Sequence, residues 1–326
     1  MLALLLSVCV RNWVIDRLKN GRQVHLLAAG MSRSASTWQF NALRILIEHA
    51  TASEGLKVQV HSAHGHRIVD IEGCLSRRVC VVKIHEFVPS LLSKIDAVFL
   101  THRDPRDVLM SSAGKINACL NDGKQPVAVA FMSYAAWLPF ACFDMQYESF
   151  MATGADTQIT ELADRLGIPY ATRTPPSSIF SFFLPYAGLH LTSQSATAGV
   201  SIVSIARAIR KDSHNPKLNT KRQEKTGFMT GHVTKVTTEP GAYKRFNNKL
   251  MQQHVSGRCN IKKELRLIEL GWGGWMRRHN YSCDSKENLF VDQLAERSWL
   301  MMEDDEQYGG NRCPYQTLLH QALQNR

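Results

Sequence analysis

The sequence predicts an α/β protein, a central parallel sheet flanked by helices, and three observations carry that prediction. Short apolar runs alternate with helix-period segments through the first half of the 326-residue chain. A loop of small residues, GMSRSASTW at 30–38, joins one apolar run to one helical segment. A second junction, THRDPRD at 101–107, ends another run and starts another helix. With 44% hydrophobic residues, the chain can build one large domain or two ordinary ones.

Taken in order, strands are expected at 23–29, 57–61, 79–85 and 97–101, and helices at 36–50, 105–120, 127–143 and 157–166. The helix at 105 has a well-marked start: Asp104 as N-cap, Pro105 at the first helical position and Asp107 at the third. The stretch 125–143 carries no charge and is long enough to span a bilayer, but Pro139 and the interior Ser133 and Tyr134 favour a buried, kinked helix. Residues 174–206 contain no Asp, Glu, Lys or Arg and read as a long loop ending in a short helix near 202–209. Further helices are expected at 242–252 and 261–278, followed by a polar, acidic tail.

A formal charge of +11 favours an anionic partner: nucleic acid, a membrane surface or a nucleotide-like cofactor. The basic residues peak at 210–225, which reads as an exposed loop. Eight cysteines are scattered with no C-x-x-C and no Cys/His zinc spacing, so reduced thiols in a cytosolic protein are the simplest reading. The apolar first ten residues are too short to span a membrane and lack the basic start of a signal peptide.

The loop at 30–38 sits where a strand turns into a helix, a position that suits phosphate. Ser32, Ser34, Ala35, Ser36 and Thr37 let the backbone curl around one anion, and the helix N-terminus adds partial positive charge. Arg33 adds a permanent cation, and Trp38 can either stack on a base or fill the core. A nucleotide-hydrolysing loop of the G-x-x-x-x-G-K-[ST] type would have Gly at 35 and Lys at 36; here Ala35 and Ser36 stand there.

Two further segments carry chemistry. Arg103 is expected at the C-terminal edge of the sheet, where open α/β folds bind ligands, with Ser111 further along the following helix. Such an Arg and Ser can grip a second phosphate. Lys83 and His85 in VVKIHEF are two apart on a predicted strand and therefore share a face. A cation and an imidazole together suit a transfer reaction, the first meeting a leaving oxygen and the second taking a proton.

Together these segments resemble the sulfotransferase family, whose members use 3'-phosphoadenosine 5'-phosphosulfate (PAPS). S-R-S-A-S-T-W resembles the 5'-phosphosulfate loop K/R-S-G-T/S-T-W; R-D-P-R-D-V-L-M-S resembles the 3'-phosphate motif; K-I-H resembles K-T-H. Q-Y-E-S-F at 146–150 and the late segment G-H-V-T…P-G-A-Y-K-R-F extend the likeness. The resemblance implies a P-loop NTPase-like three-layer sandwich, His85 as catalytic base, and Lys83 and Arg33 on the sulfuryl group. It implies a PAPS site of Arg33, Ser34, Ala35, Ser36, Thr37, Trp38, Arg103, Ser111, Tyr147 and His232, with no metal. The acceptor would be a small molecule or carbohydrate, with no nucleic acid and no stable membrane span.

The same resemblance implies a sulfotransferase domain over 1–281, with an insertion at about 168–199, and a polar tail at 282–326. A cytoplasmic location is expected, with a Golgi one only if an anchor precedes Met1, since Golgi relatives carry a longer membrane anchor. Ala35 replaces a usual Gly, which strains the loop by roughly 1 kcal/mol if the position takes a positive φ. Two alternatives stand beside this reading: a P-loop nucleotide kinase, which would need a Lys at 36 and a magnesium-binding acid, and a catalytically inactive basic relative that binds anions or polynucleotide.

Overall fold

The computed structural model describes residues 13–64, 68–116, 127–171, 200–213, 240–245 and 261–283. Five strands form the sheet: β1 (Val24–Ala28), β2 (Val60–His64), β3 (Val79–Lys83), β4 (Ala97–His102) and β5 (Ala141–Gln146). Their order is β2-β3-β1-β4-β5, and every pairing is parallel. The sequence-predicted parallel sheet is therefore present, with β1 at its centre.

Side chains of β1 alternate between two cores, as a strand covered on both faces requires. Leu27 and Ala29 join Cys80, Val82 and Leu100 beneath α3 (Ile68–Leu75), α4 (Pro105–Ile116), α5 (Val127–Trp137) and α9 (Ile261–Arg278). Leu26 and Ala28 join Val79, Val81 and Phe99 beneath α1 (Trp13–Lys19), α2 (Ser36–Ser53), α7 (Ala155–Leu166) and α8 (Ile202–Ser213). The result is a three-layer sandwich whose ligand-facing edge is the C-terminal end of β1, β3 and β4.

Several boundaries differ from expectation. The predicted helix at 127–143 stops at Trp137; Pro139 sits in a 3₁₀ turn, Leu138–Phe140, and the chain then extends as edge strand β5. An uncharged run over a helix, a turn and a strand carries no single periodicity to separate them. Strand β3 ends at Lys83, so His85 lies in the bend beyond it. Helices α1, α3 and α6 (Tyr147–Thr153) are additional to those predicted. No helix among the described residues is long and apolar enough to cross a membrane.

The expectation of reduced thiols is also corrected: Cys74 at the end of α3 and Cys80 in β3 form a disulfide, with Cα atoms 5.6 Å apart. A cytosolic reading loses that support, because disulfides are rare in reducing compartments. In the uncharged middle of the chain, β6 (Tyr170–Ala171) pairs in parallel with β7 (Val200–Ser201). The intervening residues 172–199, the basic peak from 214 onward, His232, most of the expected 242–252 helix and the tail lie outside the described residues.

Candidate functional site

The loop after β1 begins at Gly30, whose φ is 133°. A Cβ there would collide with the backbone carbonyl of Thr101 and lie 2.6 Å from its nitrogen, so only glycine lets the loop run this close to β4. Met31 donates its N–H to the Thr101 carbonyl at 2.9 Å, and the buried Ser34 hydroxyl bonds Thr101 Oγ1 at 2.6 Å. Ser34 is thus a strut whose hydroxyl faces β4; its N–H is what it can offer an anion.

Arg33 and Ala35 both have left-handed backbone, with φ of 63° and 68°. Left-handed residues are a component of the backbone turns whose successive N–H groups can form an anion nest. Ala35 is the N-cap of α2 and provides no side-chain cap, so the first-turn N–H groups of Ser36, Thr37 and Trp38 face an end with no intrahelical acceptor. Ser36 is buried, while Thr37 and Trp38 are half-buried. Trp38 packs against Phe150 of α6, ring centroids 4.6 Å apart, and Phe150 in turn contacts Tyr147.

Across the loop stands the β4–α4 junction. Asp104 caps α4 as predicted, its Oδ1 accepting the Arg106 N–H at 2.9 Å. Arg106 then grips both carboxylate oxygens of Asp104 at 3.0 and 2.8 Å and reaches Glu269 of α9 at 3.1 Å. Arg106 is therefore occupied by structure, which leaves Arg103 as the arginine turned to the loop. Arg103 is 2% exposed, lies 4.2 Å over the Tyr147 ring and donates to the Arg33 carbonyl at 3.4 Å.

Arg33 in turn donates through Nε to Ser111 Oγ at 2.9 Å. Arg33, Arg103, Ser111 and Tyr147, drawn from three separate segments, thus converge on one place. Burial, and next the neighbouring Arg103 guanidinium, push the Arg33 pKa below its usual value. Two guanidiniums held together in a partly desolvated site are a standing electrostatic cost that an anion between them would remove.

Lys83 and His85 complete the edge. Lys83 Nζ lies 3.0 Å from His85 Nε2, and His85 Nδ1 lies 2.9 Å from the Gly30 carbonyl oxygen. Although His85 has left the strand, the two side chains still meet, directly beneath the start of the 30–38 loop. Burial pushes the Lys83 ammonium down to about 8.

The structure is similar to that of retinol dehydratase. The complex of that protein with retinol and PAP aligns at a TM-score of 0.37 with 15% identity, over 77% of this chain and 86% of its own. Its complex with androsterone and inactive cofactor PAP gives 0.39 and 11%, over 78% and 84%. Mouse sulfotransferase SULT7A1 complexed with PAP gives 0.36 and 12%, over 76% and 88%. No family model matches the chain, and no curated protein matches it in sequence.

One participant was missed by sequence reasoning. Asp107, fully buried on α4, accepts the N–H groups of Gly241 at 2.6 Å and Tyr243 at 2.9 Å, and lies 3.5 Å from Arg103. It pins the 240–245 segment beside the arginine site, and the Tyr243 ring packs under Arg106 at 3.9 Å. The Asp-Pro-x-Asp spelling signalled a helix start, but nothing local in it pointed to a partner more than a hundred residues away.

Proposed function

We propose that the chain is a sulfotransferase that moves a sulfuryl group from PAPS to a hydroxyl or amine on a small-molecule or carbohydrate acceptor. The observation that carries this reading is the meeting of Arg33, Arg103, Ser111 and Tyr147 beside a left-handed loop that opens a helix. Two adjoining sets of donors suit a nucleotide with two phosphate groups: backbone amides at 33–37 for the 5' group, Arg103 and Ser111 for the 3' phosphate. Trp38 and Tyr147, linked through Phe150, offer faces for the adenine.

In this reading Lys83 and Arg33 meet negative charge on the transferred group and the leaving oxygen, and His85 Nε2 accepts the proton of the attacking hydroxyl or amine. His232, outside the described residues, is assigned to the 3'-phosphate side. Residues 1–281 are assigned to the transferase domain, with an insertion at about 168–199, and 282–326 to a polar tail.

Calorimetric titration of the full chain with 3',5'-adenosine bisphosphate tests the reading, run in parallel with ATP plus magnesium. Binding that persists in chelator, with ATP at least tenfold weaker, is expected. Preference for magnesium-ATP would favour a kinase, and no binding of the bisphosphate would sink the sulfotransferase reading.

A further inference from the structure

At the end of β4, next to Arg103 in the chain, three side chains from distant parts of the sequence meet. His102, 4% exposed, ends β4; Asp144 lies on the neighbouring strand β5; His279 follows the last turn of α9. His102 Nδ1 stands 2.9 Å from Asp144 Oδ1, and the His102 and His279 rings cross at 65° with centroids 4.6 Å apart. One ligand atom from each of the three lies within 4.8 Å of the others. They line a cleft of about 410 Å³ together with Gln146, Arg278 and Asn280.

We propose that His102, Asp144 and His279 hold a divalent transition-metal ion of the zinc type. Two imidazoles and one carboxylate are a borderline-soft donor set suited to zinc, with the cleft side left for water. Ligand atoms around a tetrahedral zinc ion stand about 3.3 Å apart, so the His102–Asp144 pair is already close to spacing and only His279, half-buried, has to move inward. The ion would take the place of the proton these two groups share.

The surroundings support the same assignment. Tyr134 donates its hydroxyl to Asp144 Oδ2 at 2.6 Å, leaving Oδ1 as the oxygen turned to His102; metal sites use such outer donors to orient their ligands. His279 is held through its backbone, its N–H donating to the Trp275 carbonyl at 3.1 Å and its carbonyl accepting from Gln146 Nε2 at 3.2 Å. Against the assignment, His102 Nε2 is buried and, among the described residues, lacks the outer acceptor that a metal-bound imidazole usually has. Of the charged groups at the cleft, Glu161 favours a cation and Arg278 opposes it. A bound ion would tie the end of α9 to β4 and β5.

The test uses the full chain, stripped with chelator and titrated with zinc sulfate by calorimetry and with cobalt(II) by visible absorption. One equivalent per chain is expected, with a low-symmetry cobalt spectrum, a zinc-dependent rise in melting temperature, and none of these in His279→Ala. Tyr134→Phe should weaken zinc binding about 10–100-fold while the apo fold, read by circular dichroism, is unchanged. The paired variant His61→Ala/His64→Ala, on β2, should bind like wild type. Equal zinc affinity in wild type and His279→Ala, or loss in the β2 variant alone, would overturn the proposal.

Discussion

Lys83 and His85 form one unit: Lys83 Nζ is 3.0 Å from His85 Nε2, while Nδ1 of the same ring faces the Gly30 carbonyl at 2.9 Å. A carbonyl can only accept, so Nδ1 carries the proton and Nε2 presents its lone pair to the Lys83 ammonium. The imidazole is thereby fixed in the tautomer a general base needs. Lys83 occupies that lone pair until charge appears elsewhere for it to meet.

Under the proposed function this arrangement sets a pH dependence for transfer. The Lys83 cation is present below about pH 8 and lost above it, so turnover at saturating substrate should fall as pH rises through 8. Lys83→Gln should lower turnover and remove that basic limb, whereas His85→Ala should cost about 10²–10⁴-fold in turnover and leave bisphosphate affinity within about twofold. A basic limb that survives in Lys83→Gln would assign it to another group. For stability the sign is opposite: the folded pKa lies below the unfolded value of about 10.4, so the unfolded chain binds more protons and stability rises with pH between about 8 and 10.

Arg103 is expected to dominate cofactor affinity. Loss of a charge-assisted grip on phosphate is worth about 1.5–3 kcal/mol, so Arg103→Ala should weaken bisphosphate binding roughly 10–150-fold. Ser111→Ala should cost less, since a neutral hydroxyl contributes about 1 kcal/mol. Titration against adenosine 5'-phosphate, which lacks the 3' group, separates the roles: both variants should then match wild type.

Ala35 adopts φ 68° without the freedom of glycine. Ala35→Gly relieves a left-handed strain of about 1–2 kcal/mol and gives back part of it through a more flexible unfolded chain. A net gain of about 0.5–1 kcal/mol is expected in denaturant melts, with bisphosphate affinity unchanged or improved. A destabilised glycine variant would mean that the Ala35 methyl packs usefully.

Burial pushes the Asp107 carboxyl up to about 6, against the pull of Arg103 and the two backbone N–H groups. Between about pH 4 and 6 the folded protein therefore holds a proton that the unfolded chain has released, and stability falls as pH rises through that window. The stability advantage of wild type over Asp107→Asn should narrow from pH 4 to 6 and stay level above. An advantage that widens instead would show the ionised form to be the favoured one.

How much of this was legible in sequence depended on range. Asp104, Pro105 and Asp107 spelled a helix start because capping is a contact between residues two or three apart, and the central strands declared themselves by continuous apolar character. The pairing of Arg33 with Ser111 was reachable only through the motif resemblance, since no periodicity links them. Asp107 to Gly241, Tyr134 to Asp144 and Cys74 to Cys80 are products of tertiary packing. Edge strand β5 was hidden for a related reason: it packs against α6 and α7 and meets the residue after α9 through Gln146, and its ACFDMQ spelling is not continuous enough to announce a strand.

The short parallel pair of β6 and β7 sets Tyr170 opposite Val200 and Ala171 opposite Ser201, with Tyr170 packed against the α2–α7–α8 core. The two ends of the 172–199 connection therefore sit on neighbouring strands. What lies between can therefore vary in length at little entropic cost, since closure grows only with the logarithm of loop size. A short Gly-Ser bridge from 171 to 200 is expected to leave the sheet and the arginine site intact, so that the two short strands act as a seam across which the connecting length is free to change.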